Sequence, residues 1–341
     1  MLLKRLTEAM GPSGFEDEIR GVLREEVEGC VDRVYTDVLG NLICEKGVHQ
    51  PGPRVMLDAH MDEVGLMITH AEENGLLRFR PLGGVDPRVL VSKPVRIGED
   101  KRFGVIGAKP IHLQKAEERR KPLPLESLYI DIGARDRDDA LAHVRLGDVA
   151  VFATRYEEIG VRCAKAKSFD DRAGCAVLVE ALRETHPIPV YGVFTVQEEI
   201  GLRGAMAAAY RIQPDIAIAL EGTVCFDVAR APGHGQGTVL GRGPAFTLQD
   251  GRTLADRRFL EFLVHVAERH DIPYQFRRVK GGSNDFGAIH RTRAGVVGGS
   301  ISIPVRYIHA PAQVMSLEDY ENTVRLVRAV LAELAKGGFQ A

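Results

Sequence analysis

The chain has 341 residues, 45% apolar and 27% charged, the composition of a soluble globular protein with one large domain or two. Its 45 Lys and Arg against 47 Asp and Glu leave a formal charge of −2, which excludes the basic excess of a dedicated nucleic-acid binder. No run approaches the roughly 18 apolar residues of a membrane span, and the five cysteines, odd in number and without a C-x-x-C, argue against a disulfide framework.

In chain order, Leu2, Leu3, Leu6 and Ala9 suit one face of a short helix that Gly11-Pro12-Ser13-Gly14 ends. Lys4, Arg5 and Glu8 interrupt its apolar residues, so these first ten residues do not read as a secretory leader, and a cytoplasmic location is expected. Ser13 and Glu16 have capping-box spacing, and Phe15, Ile19, Val22, Leu23 and Val27 follow at helical period. Residues 33–47 read as a hairpin turning at Gly40-Asn41.

Four later segments share one plan, an apolar strand that ends in His, Asp or Glu. Val55 to Ala59 runs into His60-Met61-Asp62-Glu63, and Val190 to Val196 into Gln197-Glu198-Glu199. Ile216 to Leu220 runs into Glu221, and Gly299 to Ile303 leads through Pro304 towards His309. Between them Ala173 to Leu182 reads as a helix opened by Asp170-Asp171-Arg172. Short apolar strands alternating with helices predict an α/β fold with a largely parallel sheet, in which ligands gather beyond the carboxyl ends of the strands. The segment 67–165 differs. Turn signals at Gly83-Gly84, Asp86-Pro87, Gly98 and Gly104 separate short β-rich pieces, and Lys115 to Lys121 is a charged, solvated stretch. This predicts a small β-rich domain inserted into a split domain made of 1–66 and 166–341.

A single His or Glu at a strand end is usually a surface or capping residue, and Glu198-Glu199 or Asp170-Asp171 alone could serve a helix start. The recurrence of the pattern after several strands is what points to a metal. His60, Asp170, Glu199, Glu221 and His309 could give each of two ions one His, one terminal carboxylate and one shared carboxylate. Glu198 could then hold a proton-accepting position, and Asp62 could orient His60.

The stretches GPSGFEDEIR (11–20), LDAHMDEVGLMI (57–68), SFDDRAGC (168–175), TVQEEIGLRGA (195–205), ALEGT (219–223) and PVRYIHAP (304–311) closely resemble the glutamyl and deblocking aminopeptidase family of dinuclear-metal peptidases. The resemblance implies that His60 and His309 are metal histidines, Asp170 the bridging carboxylate, Glu199 and Glu221 the remaining ligands, Glu198 the general base and Asp62 the aspartate supporting His60. Glu221 stands where many members have Asp. The stretch Gly282-Ser283-Asn284-Asp285-Phe286-Gly287 departs from the usual Gly-Thr-Asp-Ala, so substrate contacts there are open. The resemblance further implies two divalent ions per subunit, zinc, cobalt or manganese, and peptide substrates with a free N-terminus. It implies a dimerisation role for the insertion and a homo-oligomer, a dodecamer built from dimers; the balanced charge and the lack of a long apolar run argue against a nucleic-acid or membrane partner. The rival readings are an acylamino acid deacylase, an endoglucanase, for which paired carboxyl groups would have to flank a glycosidic bond, and a non-catalytic scaffold.

Overall fold

The computed structural model describes residues 1–228, 237–277 and 281–340. The chain opens with helices α1 (Leu2–Glu8) and α2 (Asp17–Val27), followed by strands β1 (Arg33–Thr36), β2 (Leu42–Lys46) and β3 (Val55–His60). It then enters a separate sheet of β4 (Gly65–Ala71), β5 (Leu77–Leu82), β6 (Pro94–Ile97), β7 (Arg102–Gly107) and β8 (Tyr129–Asp131). After the short helix α3 (Arg137–Leu141), this sheet ends with β9 (Val149–Phe152). The remainder is β10 (Glu157–Ile159), β11 (Cys163–Ala166), α4 (Phe169–Leu182), β12 (Val190–Thr195), α5 (Arg203–Ile212), β13 (Ile216–Val224), β14 (Ala245–Thr247), α6 (Arg257–Arg269), β15 (Gln275–Arg277), α7 (Phe286–Ile289), β16 (Val297–Arg306), β17 (Gln313–Ser316) and α8 (Leu317–Ala335).

The large sheet has the order β1-β2-β12-β3-β13-β16-β17-β11-β10, with β14 and β15 attached beside β16. Its centre, β12-β3-β13-β16, is parallel, and the flanking strands are antiparallel. Alternation along each strand divides the apolar residues between two layers. Leu42, Val55, Leu57, Ile216, Ile218 and Leu220 face the core beneath α1, α2, α4, α6 and α8. Ile43, Met56, Val193, Ala217 and Ala219 face a smaller layer under α5 and α7. Helix α5 meets this layer with Ala205, Ala208 and Ala209, which lets it approach the sheet closely. Helix starts follow ordinary capping chemistry. The Asp256 carboxylate accepts from the N–H groups of Arg258 and Phe259 to begin α6, and Ser316 accepts from Asp319 to begin α8.

Strands β4 to β9 close into a barrel, β4-β5-β8-β7-β6-β9, around Leu66, Ile68, Leu77, Val95, Ile97, Ile106 and Ile130. Closure removes the sheet edges. Strands β10 and β11, inside the stretch 67–165 expected to be inserted, pair instead with the large sheet: Cys163 to Ala166 lie antiparallel to Ser316 to Gln313. The last barrel strand ends at Phe152. Short strands of similar composition on both sides of that point hid the boundary. The capping box expected at Ser13 and Glu16 does not form. Glu16 itself is the residue preceding α2, its carboxylate accepts from the Gly14 N–H at 2.7 Å, and the Ser13 hydroxyl is committed elsewhere.

Candidate metal centre

The four parallel strands deliver their ends to one edge of the sheet. His60 is the last residue of β3 and lies in register with Thr195, the last residue of β12. Glu198 and Glu199 follow three and four residues later, after a left-handed turn at Gln197 (φ 57°) that swings the chain across the strand ends. Glu221 is in β13, and His309 lies beyond β16 on a loop in which Tyr307 and His309 both have positive φ. Asp170 comes from the distorted first turn of α4, where Asp170 and Asp171 are not helical and are joined by a cis peptide.

These side chains converge. Asp170 lies between the two histidines: Oδ1 is 3.4 Å from His60 Nε2, and Oδ2 is 3.4 Å from His309 Nε2. Glu221 Oε1 approaches His60 Nε2 at 3.3 Å, and Glu199 Oε2 approaches His309 Nε2 at 3.1 Å. Glu198 Oε2 stands farther off, 4.0 Å from His60 Nε2. Thus all five expected ligands and the expected base meet in one cluster. Asp171, not selected from the sequence, also offers an oxygen within 4.8 Å of ligand atoms of His60 and Glu221.

The supporting contacts are mostly ones that sequence reading missed. Asp62 Oδ2 accepts from Ser13 Oγ at 2.6 Å, and its carboxylate also accepts the N–H groups of Glu198 (3.0 Å) and Glu199 (3.2 Å). One aspartate therefore fixes the β12 turn as well as standing 3.5 Å from His60 Nδ1. Gln313 Oε1 accepts from the Asp170 N–H at 2.9 Å, and the Gly84 carbonyl, from the barrel, lies 2.9 Å from His309 Nδ1. Those contacts leave Nε2 of His60 and of His309 facing the carboxylates. Beneath Asp170 the fully buried Arg172 and Lys167 both reach Glu63 Oε1, and Arg172 also donates to the Leu6 carbonyl at 2.6 Å. This buried ion cluster ties α1 to the turn carrying Asp170. Asp285 is also fully buried and accepts from Thr195 Oγ at 2.6 Å, behind the cluster rather than in it.

The electrostatics fit cation binding. Burial pushes the Glu221 carboxyl up to about 8, and burial likewise raises Glu198 and Glu199. Burial opposes charge on His309, yet Asp170 and Glu199 outweigh it and lift the ring to about 11. A metal-free chain therefore holds protons in this cluster to offset crowded carboxylates. Asp170 Oδ1 and Glu221 Oε2 are buried without a hydrogen-bond partner. Orphaned carboxylate oxygens beside imidazole nitrogens suit divalent cations of borderline hardness.

Residues 40–326 match the profile of the M42 glutamyl aminopeptidases. The chain belongs to that family. It is accordingly a metal-dependent aminopeptidase, a hydrolase of the dinuclear-metal class. Over 345 residues it is 33% identical to the lysyl aminopeptidase of Pyrococcus furiosus, covering 98% of this chain and 96% of that one. The TET aminopeptidase structure from a Thaumarchaeota archaeon superposes with a TM-score of 0.94 at 36% identity, covering 99% and 98% of the two chains. The Pyrococcus horikoshii TET1 peptidase, which can assemble into a tetrahedron or a large octahedral shell, superposes with a TM-score of 0.85 at 34% identity over 96% and 97%. These likenesses run through both the large sheet and the barrel. None of the described helices is long and apolar enough to cross a membrane.

Proposed function

We propose that this M42 enzyme removes residues one at a time from the free N-terminus of peptides, with His60, Glu221 and His309, Glu199 as two ligand pairs that share Asp170. The observation that carries the reading is the position of Asp170, one oxygen 3.4 Å from each histidine. A carboxylate so placed can hold two cations side by side. Bound divalent ions supply Lewis acidity that polarises the scissile carbonyl and activates the attacking water.

The chain's own residues do the rest. Glu198 takes the proton from the attacking water and returns one to the leaving amine. Burial raises the proton affinity of its carboxylate, which strengthens it as a base. Asp62 holds the backbone of Glu198 and Glu199 and steadies His60, so base and ligands keep one geometry. Zinc and cobalt are the ions that this His-and-carboxylate set suits best, with manganese third. The insertion serves dimerisation, and dimers build a dodecamer that admits peptides and unfolded segments. Five free cysteines suit a reducing cytoplasm.

The test is chelation followed by reloading with zinc, cobalt or manganese, with metal content and aminoacyl-p-nitroanilide turnover measured together. Activity should vanish and return with the metal. Full turnover by protein that elemental analysis shows to be metal-free overturns the proposal.

A further inference from the structure

We infer that the outer face of α5 and α7 is a docking surface for an acidic polypeptide segment of another protein. Helix α5 buries Gly204, Ala205, Ala208, Ala209 and Ile212 against the sheet. The same helical period turns Arg203, Met206 and Tyr210 outward, and all three are exposed. Beside them Arg252, on the loop after β14, and Arg291 and Arg293, just beyond α7, complete a groove of about 650 Å³. The groove is separate from the proposed centre: no residue lines both it and the pocket beside Glu198 and Glu221.

The first observation is charge. Four arginines line the groove and no carboxylate does. Among the described residues none of the four makes an ion pair. Arg203 donates to Gln197 Oε1 at 3.4 Å, Arg291 to the Gly287 carbonyl at 3.0 Å and Arg293 to the Tyr210 carbonyl at 2.9 Å. The Arg293 guanidinium also lies over the Tyr210 ring, 3.9 Å from its centroid, which holds it in place and leaves its terminal nitrogens to donate outward. On a chain of formal charge −2, such a patch is a local feature and not the spill-over of a basic protein.

The second observation is composition. The groove also presents Leu39, Met206 and Tyr210, and no lysine lines it. Arginine, methionine and aromatic side chains without lysine or carboxylate are the make-up of protein-interface cores. A nucleic acid or a small oxyanion would leave the apolar side chains unused. A polypeptide with carboxylates spaced by apolar residues uses both, and each guanidinium can grip one carboxylate through two parallel hydrogen bonds. A second copy of this chain is a poorer match, because most of its surface acidic doublets already pair internally. Glu25 and Glu26 pair with Arg5, Glu72 with Arg78, Glu118 with Lys109 and Asp139 with Arg135.

The test is fluorescence anisotropy with the metal-loaded protein and a fluorescein-labelled peptide of repeating Glu-Glu-Leu, N-acetylated so that it has no free amine. A repeating Gln-Gln-Leu peptide and a single-stranded oligonucleotide are compared with it. Wild type should bind the glutamate peptide, more weakly as salt is raised, and neither of the other probes. Arg203→Glu with Arg293→Glu, and separately Arg252→Glu with Arg291→Glu, should weaken binding at least about tenfold, because two attractions become repulsions. Lys115→Glu with Lys121→Glu, an equal change of charge at exposed positions between β7 and β8, should not. Melting temperature and alanyl p-nitroanilide turnover should stay at wild-type values in all three. No binding by wild type, equal binding of the glutamine peptide, tighter binding of the oligonucleotide, or equal weakening by the Lys115 and Lys121 changes overturns the inference. A fall in oligomer mass by light scattering in either arginine variant also overturns it, and assigns the face to a contact between copies.

Discussion

Glu198 and Glu199 are chemical neighbours with different surroundings, and their substitution should separate two functions. Glu199 lies 3.1 Å from His309 Nε2, whereas Glu198 stands back at 4.0 Å from His60 Nε2. In Glu198→Gln the rate should fall about 10²–10⁴-fold, with both ions retained. In Glu199→Gln one ion should be lost together with the rate. If instead Glu198→Gln loses metal and Glu199→Gln keeps both ions, the two roles are reversed, and metal stoichiometry measured beside kcat decides. The same cluster links metal to pH. His309, raised to about 11, and Glu221, raised to about 8, both carry protons near neutrality in the metal-free chain. Ligation requires a neutral ring and an ionised carboxylate, so binding must expel those protons. The sign follows: acid opposes binding, and apparent metal affinity should rise as pH climbs towards 8. Zinc titrations in buffers of different ionisation enthalpy would reveal the release, and a heat independent of buffer would contradict it.

At the scale of elements, β12 must end in one place for Glu198 and Glu199 to face the histidines. Asn41 secures that end. Its Oδ1 accepts from the Val196 N–H at 3.0 Å, and its Nδ2 donates to the Gly204 carbonyl at 3.0 Å, so the β2 turn clamps β12 to the start of α5. Gly204 is required for the approach, because a Cβ there would collide with Asn41 and stand 2.6 Å from the Val196 carbonyl oxygen. Gly204→Ala should therefore cost about 1–3 kcal/mol of stability through overpacking and reduce turnover, while a substitution at exposed Met206 on the same helix should do neither. Urea midpoints and kcat for both variants check this. The sequence made most of the ligands legible because His60, Glu199, Glu221 and His309 follow apolar strand segments, a pattern that survives without tertiary knowledge, whereas Asp170 opens a helix. It misread residues whose partner is remote. Ser13 obeys the spacing of a helix cap, yet its hydroxyl serves Asp62, 49 positions away. Asn41 read as a turn residue, and the turn does form, with Asp37 accepting three backbone N–H groups, but its amide also acts across the sheet. Gly84 contributes only a carbonyl, so its contact with His309 leaves no trace in residue type.

Over the whole molecule, the barrel is more than an appendage, since its Gly84 carbonyl orients His309. It also carries apolar side chains that its own core does not use. Phe103 and Val105 on β7 are 59% and 48% exposed, and Ile111 and Leu113, just beyond that strand, are 68% and 61% exposed. Isolated exposed apolar residues are ordinary, but a run of four on one closed barrel is a surface suited to another chain. The barrel is closed by the pairing of β4 with β9, so a partner would meet its outer face rather than add a strand. The double variant Ile111→Glu and Leu113→Glu should leave the fold intact, because neither side chain belongs to the barrel core. Burying two carboxylates in an apolar contact without partners is costly, so assembly should weaken instead. Multi-angle light scattering at micromolar concentration should show the proposed dodecamer giving way to smaller species. Turnover of a small aminoacyl p-nitroanilide should survive in them, because the proposed ligands all come from one chain. An unchanged mass in the variant would remove this face from the interface, and a wild-type chain that is monomeric and fully active would remove the assembly itself.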